Sequence, residues 1–316
     1  MSVKIGAGHI GIVGAGLVGG GWTIVFARAG EQVRVYDAAA DIRDRFMEIV
    51  AGQLDDLKTY DLLDEPAAIL GRIIICDNLG EVVEGARFIQ ESVFEQTDVK
   101  TEISNAIGPL LSDGAIVGSS TSGIPSSAFT EHVVNRERFL VTHPVNPPYL
   151  APIVEVVPAP WTAKDAIDGA LALMTAVGQS PVLVRREVEG FILNRLQGVL
   201  LREAWDLYQE GYASAEDIDK TVSEGLGLRW SFMGPFETID MNAPGGVADY
   251  AERLGPLYHS IQKSRTDPQP WSAELISAVD NERRAKLPME KLAERRKWRD
   301  RRLMALAAHR SKQASE

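Results

Sequence analysis

His9-Ile10-Gly11-Ile12-Val13, running into Gly14-Ala15-Gly16-Leu17-Val18-Gly19, is the stretch that decides the fold. The first five residues read as a short buried strand, and the next six satisfy G-x-G-x-x-G. In such a turn the first glycine permits the tight bend, the second lets backbone approach a pyrophosphate, and the third allows close helix–strand packing. The anion then sits on a helix N-terminus. That helix is predicted over residues 17–29, with Trp22, Ile24, Val25 and Phe26 on it and Gly30 stopping it. A second strand, Val33-Arg34-Val35-Tyr36, ends in Asp37, at the spacing where an acid accepts hydrogen bonds from an adenosine ribose. The predicted dinucleotide contacts are therefore Gly14, Gly16, Leu17, Val18, Gly19 and Asp37. Ala38-Ala39-Ala40 supplies no adjacent arginine for a 2′-phosphate, and the Asp37 charge would repel one, so the expected cofactor is NAD rather than NADP. An overlapping match, Gly6-Ala7-Gly8-His9-Ile10-Gly11, lacks a preceding strand and reads as a flexible lead-in.

Further apolar runs at 72–76, 86–90, 115–118, 139–142, 153–157 and 181–184 alternate with helical patterns. That alternation predicts an α/β fold with a Rossmann-like, doubly wound, mainly parallel sheet, whose ligands bind beyond the carboxyl ends of the strands. Ser119-Ser120-Thr121-Ser122-Gly123 and His143 fall just after predicted strands and are expected to reach that crevice. Beyond Glu187 the pattern is helical only. One long helix is predicted over 190–211, Ser214 starts the next, and turns at Gly225, Gly227, Gly234-Pro235 and Pro244-Gly245-Gly246 divide several more. The expected domains are thus an NAD-binding one over 1–187 and an all-helical substrate and dimerisation domain over 188–316, with the cleft between them as the default substrate site.

One of the five histidines stands in His143-Pro144-Val145-Asn146-Pro147-Pro148, and Glu155 follows. Histidine is the side chain best suited to exchange a proton near neutral pH, and a carboxylate beside it orients the ring and stabilises its cation. The pair is a candidate proton-transfer dyad, set against a plain loop histidine held for structure. With 316 residues and 45% apolar content the chain exceeds what one core organises. Its single cysteine, Cys76, ends an apolar run and offers no disulfide framework. Neither a secretory signal nor an 18-residue apolar span is seen, so a cytoplasmic enzyme without a membrane partner is expected. A formal charge of −11 disfavours nucleic acid. No metal site is expected. The basic stretch 283–312, with interspersed Leu287, Leu292, Trp298, Leu303 and Leu306, reads as a terminal amphipathic helix packing on its own domain or on a second subunit.

Taken in order, the glycine turn, Ser119-Ser120-Thr121-Ser122, His143-Pro144-Val145-Asn146-Pro147, the Glu155 strand, Gly190-Phe191-Ile192-Leu193-Asn194-Arg195 and Gly234-Pro235-Phe236-Glu237 resemble the 3-hydroxyacyl-CoA dehydrogenase superfamily over nearly the whole chain. Within it the likeness is greatest to the branch of lambda-crystallin, or L-gulonate 3-dehydrogenase, through 143–149, 223–229, the Asn242-Ala243 region and the basic tail. The resemblance implies NAD-dependent oxidation of a 3-hydroxy acid. It makes His143 the base, Glu155 its orienting partner, and Ser122 and Asn194 hydrogen-bond donors to the reacting oxygen. It also places Glu95, Lys100 and Asn146 along the nicotinamide end of the cofactor, and it implies a homodimer.

Two departures from the acyl-CoA enzymes bear on the substrate. The segment 41–72, where those enzymes hold the nucleotide of CoA, carries Asp55, Asp56, Asp61, Asp64 and Glu65, which oppose a phosphate-rich tail. Arg229, beside Trp230, offers a bidentate clamp for a carboxylate. A small free 3-hydroxy acid is expected, L-gulonate first. The alternatives are L-carnitine, whose dehydrogenases resemble 229–234 and whose ammonium would suit Trp230, a 3-hydroxyacyl-CoA such as 3-hydroxybutyryl-CoA, or a non-catalytic NAD-binding structural protein.

Overall fold

The computed structural model describes residues 7–265 and 267–313; Gly6, and with it part of the overlapping glycine match, lies outside them. The chain divides into two compact units. One runs to Gln197 and resumes at Lys297, and the other is Gly198–Arg296.

The first unit is built on eight strands: β1 (His9–Val13), β2 (Val33–Tyr36), β3 (Ile73–Ile75), β4 (Ala86–Glu91), β5 (Ile116–Ser119), β6 (Phe139–Pro144), β7 (Ile153–Pro158) and β8 (Ser180–Leu183). They form one sheet in the order β3-β2-β1-β4-β5-β6-β7-β8. Its first six positions follow the doubly wound dinucleotide-binding order. Every neighbouring pair is parallel except β6 and β7, which run antiparallel. The connection over residues 145–152 is too short for the dozen or so residues a parallel crossover requires, so the chain must turn back there.

Helices cover both faces. Leu17–Arg28 brings Trp22 and Phe26, stacked 5.5 Å apart, onto the sheet, and Ala40–Thr59 lays Phe46, Val50, Leu54 and Leu57 into the same core at helical spacing. The basic tail splits into helices Ala273–Lys286 and Leu292–Gln313. Met304 of the latter is 3% exposed and joins the first unit's core, whereas Trp298 and Leu306 stay 42% exposed. Leu287, Leu292 and Leu303 of the expected stripe are half-buried, and Met304 adds to that stripe the one fully buried contact. Beside it, the Tyr149 phenol is pushed up to about 12 by burial and by the nearby Asp300 and Asp56 carboxylates.

The second unit is helical, as expected, with two corrections. The long helix starts at Leu193, not at residue 190, because Gly190 and Phe191 take left-handed φ of 72° and 51°. Gly225 and Gly227 do not break the chain: helix Ala215–Thr221 continues through a π-helical turn, Val222–Leu226, into Gly227–Trp230. Glycine permits a turn but does not impose one. The breaks at Gly234-Pro235 and before Gly246 are present, with helices Pro235–Met241 and Gly246–Lys263 following them. Among the described residues no helix is long and apolar enough to cross a membrane.

Met304→Ala should lower unfolding free energy by about 2–5 kcal/mol, the cost of emptying a well-packed site. Urea denaturation of the full chain measures it; a loss under about 0.5 kcal/mol, the surface-substitution range, would mean the tail is not part of this core.

Candidate active site

The nucleotide turn is formed by steric exclusion. Gly14 has φ 96°, and a Cβ there would meet the Ser92 carbonyl at 2.5 Å; at Gly19 it would overlap the Gly14 carbonyl oxygen. A Cβ on Gly16 would meet nothing within 4 Å, so its outer face is open. Gly16 caps the Leu17–Arg28 helix without any side-chain partner for the first-turn amides, and no acid stands in that turn. Free amides beside an open glycine face suit a pyrophosphate. Next to them lies a cavity of about 510 Å³, lined in part by Gly14, Leu17, Tyr36, Asp37, Val99 and Ile103, whose mostly apolar wall fits an adenine and whose acid fits a ribose. Asp37 also braces the turn, accepting from the Ala15 amide at 2.7 Å and the Ala39 amide at 2.9 Å. Arg43, six residues on, returns to this strand end, but its guanidinium donates to the Asp37 backbone carbonyl at 2.6 Å. These residues fit NAD.

Beyond β5 the loop is gripped from several sides. Ser119 is buried and donates to Glu91, and Ser120 sits within a polar net of Trp22, Gln90 and Ser92, so neither side chain faces the crevice as expected. Gln90 in turn accepts from Thr142, the residue before His143. Ser122 is exposed. Its amide donates to Glu95 at 2.8 Å and its hydroxyl to the same carboxylate oxygen at 3.2 Å, while its carbonyl accepts from Asn194 Nδ2 at 2.6 Å. Ser122, Asn194 and Glu95 are thus brought together. Asn146 is exposed beside the cis Asn146–Pro147 bond. Lys100 is 1% exposed, with its amine within hydrogen-bond distance of both Glu91 oxygens and 3.5 Å from Glu95.

His143 and Glu155 are direct cross-strand partners in the antiparallel β6–β7 pair. Facing residues of such a pair project on the same side, and His143 Nδ1 lies 2.8 Å from Glu155 Oε2 with both residues buried. The other Glu155 oxygen accepts from the Ile192 and Leu193 amides at 2.8 and 3.0 Å. Burial pushes the Glu155 carboxyl up, but the hydrogen bonds from His143, Leu193 and Ile192 outweigh it and hold it below the ordinary carboxylate range. An ionised carboxylate can only accept, so Nδ1 carries the proton and Nε2 is left as the free acceptor. Phe191, fully buried, sets its ring 5.7 Å from the imidazole. Neither this role of Phe191 nor the Gln90–Thr142 link was read from the sequence; a glutamine and a glutamate closing an otherwise apolar strand were the available signal.

A dinucleotide turn, an acid at the second strand and a buried histidine–carboxylate pair at the same sheet edge define an NAD-dependent oxidoreductase acting on CH–OH groups. Residues 9–188 match the 3-hydroxyacyl-CoA dehydrogenase NAD binding domain and residues 190–290 the 3-hydroxyacyl-CoA dehydrogenase C-terminal domain. The chain is 38% identical to a human lambda-crystallin homolog over 95% of its own length and 96% of the relative's. It is 35% identical to an L-carnitine dehydrogenase of Streptomyces coelicolor over 87% and 83%. Among solved structures it resembles an NAD-dependent 5-formyl-3-hydroxy-2-methylpyridine 4-carboxylic acid 5-dehydrogenase, with a TM-score of 0.81, 29% identity and coverage of 96% and 97%. The chain belongs to the 3-hydroxyacyl-CoA dehydrogenase family, and its cofactor is NAD.

Because folding lowers the Glu155 pKa, its contribution to stability is complete above its unfolded value of about 4.3 and is lost as pH falls through the lower folded value. The stability gap between the wild type and Glu155→Gln, measured in urea from pH 7 to pH 3, should therefore narrow as pH falls; a gap that widens contradicts this electrostatic picture.

Proposed function

We propose that the protein oxidises the 3-hydroxyl of a small, free 3-hydroxy acid with NAD, and that L-gulonate, giving 3-dehydro-L-gulonate, is the first candidate. His143 Nε2 accepts the hydroxyl proton, and Glu155 holds the ring in the required tautomer and stabilises the resulting cation. Ser122 and Asn194 hydrogen-bond the reacting oxygen. Bound NAD would supply the hydride acceptor, so that loss of the hydroxyl proton to His143 and of a hydride from C3 would leave a ketone. Glu95 and Asn146 would flank the nicotinamide end of the cofactor. Residence in the cytoplasm is part of the same reading, supported by a single cysteine that is buried and free.

The observation that carries the substrate class is Arg229. Among the described residues its guanidinium has no hydrogen-bond or ion-pair partner, unlike Arg202, Arg253 and Arg265 of the same unit, which are matched to acids. It lines a cavity of about 420 Å³ with Trp230, Thr238, Asn242, Tyr250 and Tyr258. An unmatched guanidinium in a cavity of this size suits a free carboxylate, for which a thioester has no counterpart. The aromatic lining supports a second reading, L-carnitine, which also carries a carboxylate and whose ammonium would sit against Trp230.

Oxidation of L-gulonate, L-carnitine, 3-hydroxybutyrate and 3-hydroxybutyryl-CoA, followed by NADH absorbance, separates these readings. A free acid should be preferred, and fastest turnover of the CoA ester would overturn the proposal. Arg229→Met should raise KM for the free acid roughly 10- to 100-fold, the scale of a lost charge-assisted bond, with NAD affinity unchanged. An unchanged KM would exclude the clamp.

The helical unit supports a homodimer. Val199, Phe232 and Phe236 are 74, 70 and 78% exposed, and helix Gly246–Lys263 buries no residue. Apolar helical surface on this scale, in a unit with so few buried side chains, is what a second copy would cover. Sedimentation velocity at micromolar concentration should give twice the chain mass, and a fully active monomer would contradict the assignment.

A further inference from the structure

Among the described residues Lys100 and its partner Glu91 are the most deeply buried charges of the first unit, and the proposed mechanism gives neither a step. Lys100 sits on helix Thr97–Ile107, its side chain 1% exposed, with Nζ 3.0 and 3.2 Å from the two oxygens of Glu91, the last residue of β4. Glu91 is equally buried and also accepts from the Val93 amide at 2.7 Å and from Ser119. A second carboxylate, Glu95, has its Oε2 3.5 Å from Nζ, and it is 42% exposed. One ammonium is therefore shared by two carboxylates, one buried and one half-exposed.

Glu95 in turn gathers the loop after β5. Its Oε1 accepts from Thr121 Oγ1 at 2.7 Å, from the Ser122 amide at 2.8 Å, from Ser122 Oγ at 3.2 Å and from the Gly123 amide at 3.2 Å. A carboxylate only accepts, so the Ser122 hydroxyl proton points at Glu95 in this arrangement. The hydroxyl can swing to donate elsewhere without orphaning Glu95, because three other donors remain and keep the loop backbone in place.

We infer that Lys100 is a positioning residue: clamped by Glu91, its ammonium fixes Glu95, and Glu95 fixes the loop that presents Ser122. The inference rests on the reading that Ser122 touches the reacting oxygen. A buried ion pair with no further task is replaceable by apolar or neutral side chains at little cost. Here the same ammonium also stands 3.5 Å from a carboxylate whose other oxygen holds a site residue. Burial pushes the Glu95 carboxyl up, but the Thr121 hydroxyl, Lys100 and the Ser122 amide hold it below the ordinary range. The charged groups at Glu95 are Lys100 from the helix and, behind it, Glu91 from β4, while residues 119–123 supply only neutral donors.

Glu91→Gln/Lys100→Met removes both buried charges while keeping an acceptor for the Val93 amide. It is compared with Glu95→Gln, Ser122→Ala and the triple variant, in the full chain with NAD and whichever panel substrate the wild type oxidises fastest. Thermal unfolding, kcat, both KM values and the pH profile of kcat/KM are measured. The double variant should fold and lose about 10- to 100-fold in kcat, the scale for a misplaced reacting group. Its KM for NAD should change less than about threefold, a small effect on this free-energy scale. Its acid limb should move to higher pH, since removing the cation raises the Glu95 pKa. Adding Glu95→Gln to it should cost little more, because both act on one path.

Wild-type kcat with an unmoved acid limb would overturn the inference and leave Lys100 as the neutraliser of Glu91. A raised KM for NAD at unchanged kcat would overturn it in favour of a cofactor ligand. If the double variant does not fold, Glu95→Gln, which keeps the buried pair, decides: unchanged kcat overturns the inference, and a comparable loss with an altered acid limb supports it. Ser122→Ala separates the two levels. Normal turnover there would remove the underlying reading itself, whereas an impaired Ser122→Ala beside a normal double variant would remove only the role of Lys100.

Discussion

The antiparallel pairing of β6 with β7 is the constraint on which the site depends. In a wholly parallel sheet the residue beside His143 would come from a strand with its carboxyl end at the same edge, and Glu155, near the start of its strand, would lie at the opposite edge. Reversing β7 places Glu155 directly across from His143. The second oxygen of Glu155 then receives the Ile192 and Leu193 amides, so one carboxylate joins the sheet, the imidazole and the start of the long helix. The left-handed pair Gly190 and Phe191 makes that approach possible. Strain of this kind in a non-glycine residue persists only where the surroundings over-determine it, and Phe191 is wholly buried against His143.

Polar order at the sheet edge follows the same logic. Each loop that carries a site residue is held by groups already committed to the framework: Asp37 braces the glycine turn, Gln90 links Ser120 to Thr142, and Glu95 gathers residues 121–123. Buried networks of this sort stabilise one arrangement only when every member is satisfied. Here the reacting groups are left with free faces because their neighbours have none.

Much of this was legible in the sequence. All eight strands were expected, because buried strands leave continuous β-branched runs and the glycine turn fixes the first crossover. His143, Glu155, Ser122 and Asn194 were named from chemistry and from family likeness, and they lie within one unit of the structure. What escaped notice has physical reasons. The reversal of β7 was readable from the short connection over 145–152, yet apolar runs look alike in either direction. The start of the long helix was misplaced because Phe191 fits a helical apolar stripe, while its left-handed backbone is dictated by a contact distant in sequence. The burial of Lys100 was not legible, since it depends on Glu91, which an isolated strand pattern does not mark. Met304, between Leu303 and Ala305, was not picked out as the tail's buried anchor because charges dominate the segment around them.

The central claim is that His143, held by Glu155, moves the proton while the glycine turn holds NAD independently of it. Stopped-flow measurement of NADH formation by His143→Ala, paired with equilibrium NAD binding followed by fluorescence, tests it most directly. The account requires turnover reduced by about 10²- to 10⁴-fold, the usual range for a lost general base, with NAD affinity close to that of the wild type. Near-normal turnover would return His143 to a purely structural role, and loss of NAD binding alongside activity would show that the two halves of the site are not separable.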